Sequence, residues 1–259
     1  MRAVQLFVAV VLACSIAVDA EAQGRQAQQK PRPSRPFVEN GFVSLNAGAL
    51  AALEDLSDRF PFEANAETGT LEADYGRSAG GAFDGTFGML VHRRIGAAVG
   101  LSYSKRSASA DVRAEVPHPF FDDRHRPVRG EATGIGHRET AIHAHVYYER
   151  RHRGPWRVRV FAGPSYVRVE QDLIIGVETQ ESFPFDSAAF RSATIERVQG
   201  SGIGVNAGFD VARMLSRRAG LGALVRYTIA GVDLNAPGGR DVSTRAGGLT
   251  SGFGLRVAF

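Results

Sequence analysis

The stretch Leu249-Thr250-Ser251-Gly252-Phe253-Gly254-Leu255-Arg256-Val257-Ala258-Phe259 decides how the chain is read. Leu249, Phe253, Leu255, Val257 and Phe259 share one parity, interrupted only by Ser251. Thr250, Gly252, Gly254 and Arg256 take the other. A period of two describes a β-strand whose two faces meet different surroundings. Here one face is an apolar ladder ending on an aromatic ring, and the opposite face is small or charged.

Working back from that strand, the same alternation recurs along the chain. Val43, Leu45, Ala47 and Ala49 share a face, as do Phe83, Phe87, Met89 and Val91. Ile95, Ala97, Val99, Leu101 and Tyr103 follow, then Ile142, Ala144, Val146 and Tyr148. Trp156, Val158, Val160 and Ala162 lead to Tyr166. Ile203, Val205, Ala207, Phe209 and Val211 come next, and Leu221, Ala223, Val225, Tyr227 and Ile229 precede the closing strand. None of these positions is charged. The opposite faces carry Asp84, His143, His145, Arg157, Arg159, Asn206, Asp210, Arg226 and Arg256 among many glycines.

With 44% hydrophobic residues, 30 glycines and a net charge of +4, the chain is too polar for a bundle of membrane helices. After Pro36 it contains no run of about 18 apolar residues. Strands that are apolar outside and polar inside, about ten residues long, are the signature of a transmembrane barrel. The expected fold is therefore all-β: an eight-stranded antiparallel up-and-down transmembrane β-barrel. The connections alternate in length, which supports the same reading. Those at 92–94, 149–155 and 215–220 are short, as periplasmic turns are; those at 50–69, 112–137 and 172–192 are long, as extracellular loops are. Aromatic girdles are expected from Tyr148 and Trp156 on the short-turn rim, with Phe259, and from Tyr103, Tyr166 and Tyr227 toward the other.

Three local points qualify this map. Ala49–Leu56 is the single short candidate for a helix. Of 11 prolines only Pro164 falls inside an expected strand, so Gly163-Pro164 reads as a bulge or kink, which would flip the parity of Tyr166. Leu71, Ala73 and Tyr75 are in phase with Phe83, so 70–91 reads as one long hairpin arm. A break at Gly80-Gly81 would instead allow ten strands; eight is the favoured count.

The N-terminus reads as residues 1–22 of a secretory signal: Arg2, an apolar run from Ala3 to Val18, and the small-x-small site Ala20-Glu21-Ala22. Cys14, the only cysteine, lies within it; Val11-Leu12-Ala13-Cys14 would also suit a lipoprotein, but the apolar run continues past it. Residues 23–38 are rich in Gln, Arg and Pro and read as a flexible basic arm. A secreted arm is not expected to meet nucleic acid. The barrel then spans 39–259.

With these residues in view, the chain resembles small bacterial outer membrane β-barrel proteins of the OmpA/OmpX kind. The resemblance is carried by the leader, the alternating strands and the closing Gly252 to Phe259. It implies a cleavable signal, insertion by the outer-membrane barrel assembly machinery, which reads Gly252, Phe253, Leu255, Val257 and Phe259, and an environment of outer-membrane lipid and lipopolysaccharide. It implies no cofactor. The chain departs from OmpA in showing no C-terminal peptidoglycan-binding domain.

Little in the sequence points to catalysis. His143 and His145 share one strand face, but no cysteine and no further clearly lumenal histidine accompanies them, and a metal site wants three or four ligands. The His-x-Ser segment of lipase-type barrels is missing, as is a Gly-x-Ser-x-Gly elbow. Gly202-Ile203-Gly204 and Gly252-Phe253-Gly254 lie inside strands and read as room for crowded lumenal side chains, not as nucleotide loops. Asp84, Asp210 and Glu149 are expected to pair with the lumenal arginines. The loops 116–127 and 174–190 mix aromatics, histidine and charge, and are where a surface ligand would bind. The expectation is a monomeric structural or surface-interaction protein with a filled lumen. A narrow passive channel and a lipid-modifying enzyme stand as alternatives.

Overall fold

The computed structural model describes residues 40–52, 56–76, 78–151 and 154–259. The expected signal at 1–22 and arm at 23–38 lie outside the described residues. Ten strands follow one another: β1 (Gly41–Ala52), β2 (Leu56–Ala64), β3 (Glu67–Tyr75), β4 (Ala79–His92), β5 (Ile95–Pro117), β6 (His125–Arg151), β7 (Trp156–Glu181), β8 (Ala188–Met214), β9 (Ala219–Ala236) and β10 (Arg240–Ala258).

Eight of these strands form a closed antiparallel ring, β1-β4-β5-β6-β7-β8-β9-β10 and back to β1. The stretch that opened the sequence reading makes the closure: Leu249 to Ala258 pairs with Ala51 to Phe42. The carbonyl of Phe259 accepts from the amides of Asn40 and Gly41, at 2.8 and 2.9 Å. The register gives the shape. Cross-strand partners followed from Ala79 run through Ala51, Leu249, Tyr227, Ala207, Ala162, Val146 and Ala97. They return to β4 at Met89, ten residues further along the chain than the start. That shear, with eight strands, tilts each strand by about 40° to the barrel axis and leaves a bore only side chains can fill.

Along β5 and β9 one parity keeps facing inward while its chemistry changes. In β5 the inward residues are first Gly100, Ser102 and Ser104, then Ala110, Val112, Ala114 and Val116. The outward ones are first Val99, Leu101 and Tyr103, then Lys105, Asp111, Arg113 and Glu115. β9 repeats the change, with Arg226 and Thr228 giving way inward to Ala230, Val232 and Leu234. The lower half is thus apolar outside and polar inside, and the upper half is the reverse. The upper half packs a dry core around Leu71, Val112, Val128, Leu173, Val232 and Leu234.

This corrects the sequence map in its connections. The stretches 112–137 and 172–192 are mostly strand, with turns only around 118–124 and 182–187. Their alternation runs apolar-in, the reverse of the membrane-facing strands. Connection 50–69 is strand as well, so the helix expected over 49–56 is replaced by the end of β1 and the start of β2, with 53–55 outside the described residues. The arm expected over 70–91 is two strands, interrupted after Tyr75 and not at Gly80-Gly81. The hairpin β2–β3 stays outside the ring: β3 pairs Thr70–Tyr75 with the upper part of β5, where β4 has ended. Tyr75 reaches into the head core, where its hydroxyl accepts from the amide of Ile174 at 2.7 Å. Burial pushes that hydroxyl's pKa up to about 12. Prolines also enter strands at Pro61 in β2 and Pro127 in β6.

The kink expected at Gly163-Pro164 is not a bulge. β7 keeps register with β8 through Gly163, Pro164 and Ser165, and Tyr166 stays outward, 49% exposed. The Asn206 amide nitrogen donates to the Gly163 and Pro164 carbonyls at 3.0 and 3.1 Å, so a side chain satisfies both acceptors where β6 and β7 leave off pairing. The parity change lies instead in β6. There one extra residue near Gly134, at φ +79°, moves the inward set from Val128 and Ala132 to Ile135, His137 and Glu139.

The head core should fail locally. Leu71→Asp puts an unpaired carboxylate among buried aliphatics, so proteolysis within 56–75 is expected while the barrel keeps its heat-modifiable gel mobility. Unchanged protection of that segment would refute a head packed on Leu71.

Candidate functional site

Two places gather chemically distinctive side chains: the bore of the lower half and the far tips of the long hairpins. In the bore, three arginines face three carboxylates. Arg226, 1% exposed, bonds Asp84, which also takes Asn46 Nδ2 at 3.3 Å. Arg256 bonds Asp210 through Nε at 2.9 Å and through its terminal nitrogen. Arg159 bridges Glu149 at 2.7 Å and Asp210 at 3.2 Å, and its guanidinium lies 3.7 Å from the centre of the Phe42 ring. Arg157 sits on the same face one step nearer the short-turn end and is partly buried. These groups come from strands far apart in sequence, and the inward parity of each strand brings them together. Glycine makes the room: a Cβ on Gly222 would meet Arg256 Nε at 2.9 Å.

The histidines belong to the same network. His143 lies 2.9 Å from Ser102 Oγ and 2.8 Å from Ser165 Oγ, so both ring nitrogens are engaged by hydroxyls. His145 Nδ1 is 3.0 Å from Asn206 Oδ1, and the two imidazoles stack at 5.9 Å. A histidine–serine contact is the start of nucleophilic chemistry only when a third group orients the base and substrate can enter. Here both contacts are serines, and His143 is 1% exposed. Small cavities of about 20 Å³ interrupt the packing beside Arg226 and beside His143, each with room for about one water. Toward the short-turn end Phe42, Tyr147, Phe161 and Leu224 form an apolar plug.

Sequence reading missed a third inward histidine. His137 Nε2 is 2.6 Å from Glu139, whose other oxygen accepts the Gly247 amide at 2.9 Å, and Arg106 approaches Glu139 at 3.5 Å. Carrying the parity of His143 three steps back along β6 would have found it. Among the described residues no group of three or more His, Cys, Asp or Glu is placed to hold a metal ion.

The outward residues form two bands. Tyr148 accepts from Arg94 at 3.2 Å, and Arg213 lies 5.9 Å over Trp156, so the rings nearest the short turns are held beside cations. Tyr103, Tyr166 and Tyr227 are half-exposed on the wall. Phe253, Leu255, Val257 and Phe259 project outward from β10 while Gly252 faces in, and Phe259 stacks on Phe87 at 5.9 Å.

At the hairpin tips, Arg126 is a buried clasp. It donates to the Pro117 carbonyl of its own hairpin at 2.8 Å. It also reaches the Phe185 carbonyl at 3.1 Å and Glu181 at 3.0 Å on the β7–β8 hairpin. Arg124 and Asp186 add a second bridge at 2.9 Å. The clasp leaves Phe120, Phe121 and Phe183 exposed, the last by 86%.

No family model and no curated protein matches the sequence. Solved structures do. Neisserial surface protein A is similar at 16% identity, covering 85% of this chain and 97% of its own, with a TM-score of 0.42. The outer membrane protein OprG from Pseudomonas aeruginosa is similar at 15% identity, with the same coverage and a TM-score of 0.44. The outer membrane protease OmpT from Escherichia coli is similar at 8% identity over the same shares, with a TM-score of 0.47. The barrel assignment rests on this chain's own strand ring and register.

Two outcomes follow. Removing one member of a buried ion pair strands its partner, at a cost of about 3–5 kcal/mol. Arg226→Ala and Arg256→Ala should therefore each lower the gel-shift melting temperature of the folded barrel, and Asp84→Leu combined with Arg226→Met should lose less than Arg226→Ala. Native-like melting of both alanine variants would exclude a paired bore. The second concerns acid. Hydrogen bonding from Arg126 holds Glu181 below the ordinary value of 4.5, so its contribution is complete above that value and lost as pH falls through the lower folded one. Spin labels at Asp123 and Ser182 should show their distance distribution broadening between about pH 6 and pH 3, and Glu181→Gln should be broad at both. A distribution constant through the titration would remove Glu181 from the clasp.

Proposed function

We propose that this chain is an outer-membrane protein with a structural and surface-recognition role, in which a sealed barrel carries a rigid extracellular head. The observation that supports it is the reversal of chemistry along the long strands, seen in β5 and β9. Below Tyr103 the outer wall presents Phe83, Val99, Val205 and Phe253 with no charge between them, which suits hydrocarbon. Above it the wall presents Lys105, Asp111, Arg113 and Glu115, which suits water. The expected secretory signal belongs with this location, and Phe259 at the end of the last strand suits recognition by the barrel assembly machinery.

A filled bore favours a role outside the barrel over transport through it. The Asp84–Arg226 and Asp210–Arg256 pairs cross the space a solute would need, and the cavities beside them have room for about one water each. The head invests an entire apolar core in holding the two longest hairpins upright. From Lys105 to Pro117 the β5–β6 hairpin rises about 40 Å along the strand. Its tip ends in exposed phenylalanines, the residue class that dominates recognition surfaces. In this reading the protein is monomeric, surrounded by outer-membrane lipid and lipopolysaccharide, and non-catalytic.

Refolded protein in a planar bilayer is expected to give no steady nanosiemens steps; regular steps would establish the channel reading instead. Cells displaying the protein should adhere to hydrocarbon- or protein-coated surfaces more than cells without it. The triple variant Phe120→Ser/Phe121→Ser/Phe183→Ser, displayed at equal level, should fall to background. Undiminished adhesion of the variant would sink the apex as a recognition surface.

A further inference from the structure

One cavity lies neither in the bore nor at the apex. It is an open groove of about 340 Å³ on the outer wall, lined by Tyr166, Arg168, Gln199, Ser201, Asp233 and Asn235. Its floor is low because the outward Ser201 is small beside longer neighbours, and because β8 stops pairing with β9 at Gly200–Leu234 while continuing upward on β7. Arg168, Ser201, Asp233 and Ser243 form one row of cross-strand partners over four strands. One step below that row stand Tyr166 and Ile203, themselves partners, and Ile203 is 78% exposed. The groove thus begins where the apolar wall ends.

We infer that this groove holds the saccharide headgroup of an outer-leaflet glycolipid, whose acyl chains run down the wall past Ile203. The inference rests on the outer-membrane reading above. Three features select a sugar. The row offers acceptor, donor and hydroxyl groups side by side. Asp233 accepts from Ser243 at 2.7 Å and retains a second carboxylate oxygen, Arg168 spends one nitrogen on Gln199, and the Asn235 amide adds both a donor and an acceptor. Vicinal hydroxyls need such mixed partners. The half-exposed Tyr166 ring at the lower lip supplies an aromatic surface at the water boundary. Finally, the groove carries one cation and one anion, so a headgroup recognised by phosphate alone is attracted by Arg168 and opposed by Asp233, and any phosphate on the glycolipid must lie outside the groove while its hydroxyls enter it. A free oligosaccharide fits less well than a lipid-anchored one, because the groove opens directly onto exposed Ile203.

The test uses the full mature protein, refolded in detergent and mixed with hexa-acylated lipid A or, separately, with phosphatidylglycerol. Heat-modifiable mobility and vesicle insertion are checked first; failure to insert would overturn the membrane reading itself, and this inference with it. For inserted protein, native mass spectrometry should show one retained lipid A per chain, with phosphatidylglycerol retained about tenfold less. Ser201→Trp fills the groove from an outward position and Asp233→Ala removes an acceptor. Each should lower lipid A occupancy by about tenfold without altering gel mobility. Equal occupancy in Ser201→Trp, or equal retention of phosphatidylglycerol by the native protein, would overturn the saccharide site and leave the barrel reading untouched.

Discussion

An unpaired strand edge in hydrocarbon would leave a row of backbone N–H and C=O groups with nothing to bond, and each such group costs several kcal/mol. The pairing of β10 with β1 removes that edge, and the rest of the molecule follows from it. Closure with eight strands and a ten-residue shear sets a narrow bore. A narrow bore forces inward side chains into contact, and inward side chains in contact must be glycine, apolar or mutually bonded. Asp84, Asp210 and Glu149 with Arg159, Arg226 and Arg256 are the bonded solution; Gly96 beside Tyr147 and Gly222 beside Arg256 are the steric one.

The same closure constrains only the lower half. Above it the ring opens into a four-stranded wall, β2-β3-β5-β6, and the hairpins β7–β8 and β9–β10. Water now reaches the outer faces, so open edges are tolerated, and Pro61 on the edge strand β2 is acceptable there. The inward parity, continuous with the polar bore, turns aliphatic and supplies the cohesion that closure supplies below. Arg240 ties the edge hairpin into this arrangement, bonding Asp58 at 3.0 Å and lying 3.7 Å from the centre of the Phe60 ring. A barrel end that would otherwise be a set of mobile loops becomes a second packed body.

In the proposed role, recognition falls to the outside of the molecule. The apex is defined by Arg126, whose buried guanidinium joins two hairpins and leaves Phe120, Phe121 and Phe183 without cover. The groove below is defined by the small side chain of the outward Ser201, at the level where aliphatic residues give way to charged ones.

The alternation at Leu249–Phe259 and in its seven counterparts determined the antiparallel strands, their outward faces and the parity of Arg226, Arg256, His143 and His145, because a period of two is a local property of the backbone. Tertiary structure alone decided which Asp meets which Arg, since Asp84 and Arg226 are 142 residues apart and meet only across the closed ring. It also decided that 112–137 and 172–192 are strands. Val112, Ala114 and Val116 alternate as clearly as Val99 and Leu101, but whether an apolar face looks out to hydrocarbon or in to a core depends on which neighbours surround it. The ladder at Pro164 is the remaining case: local rules expect a bulge, and a side chain 42 residues away, Asn206, satisfies the carbonyls and keeps the strand in register.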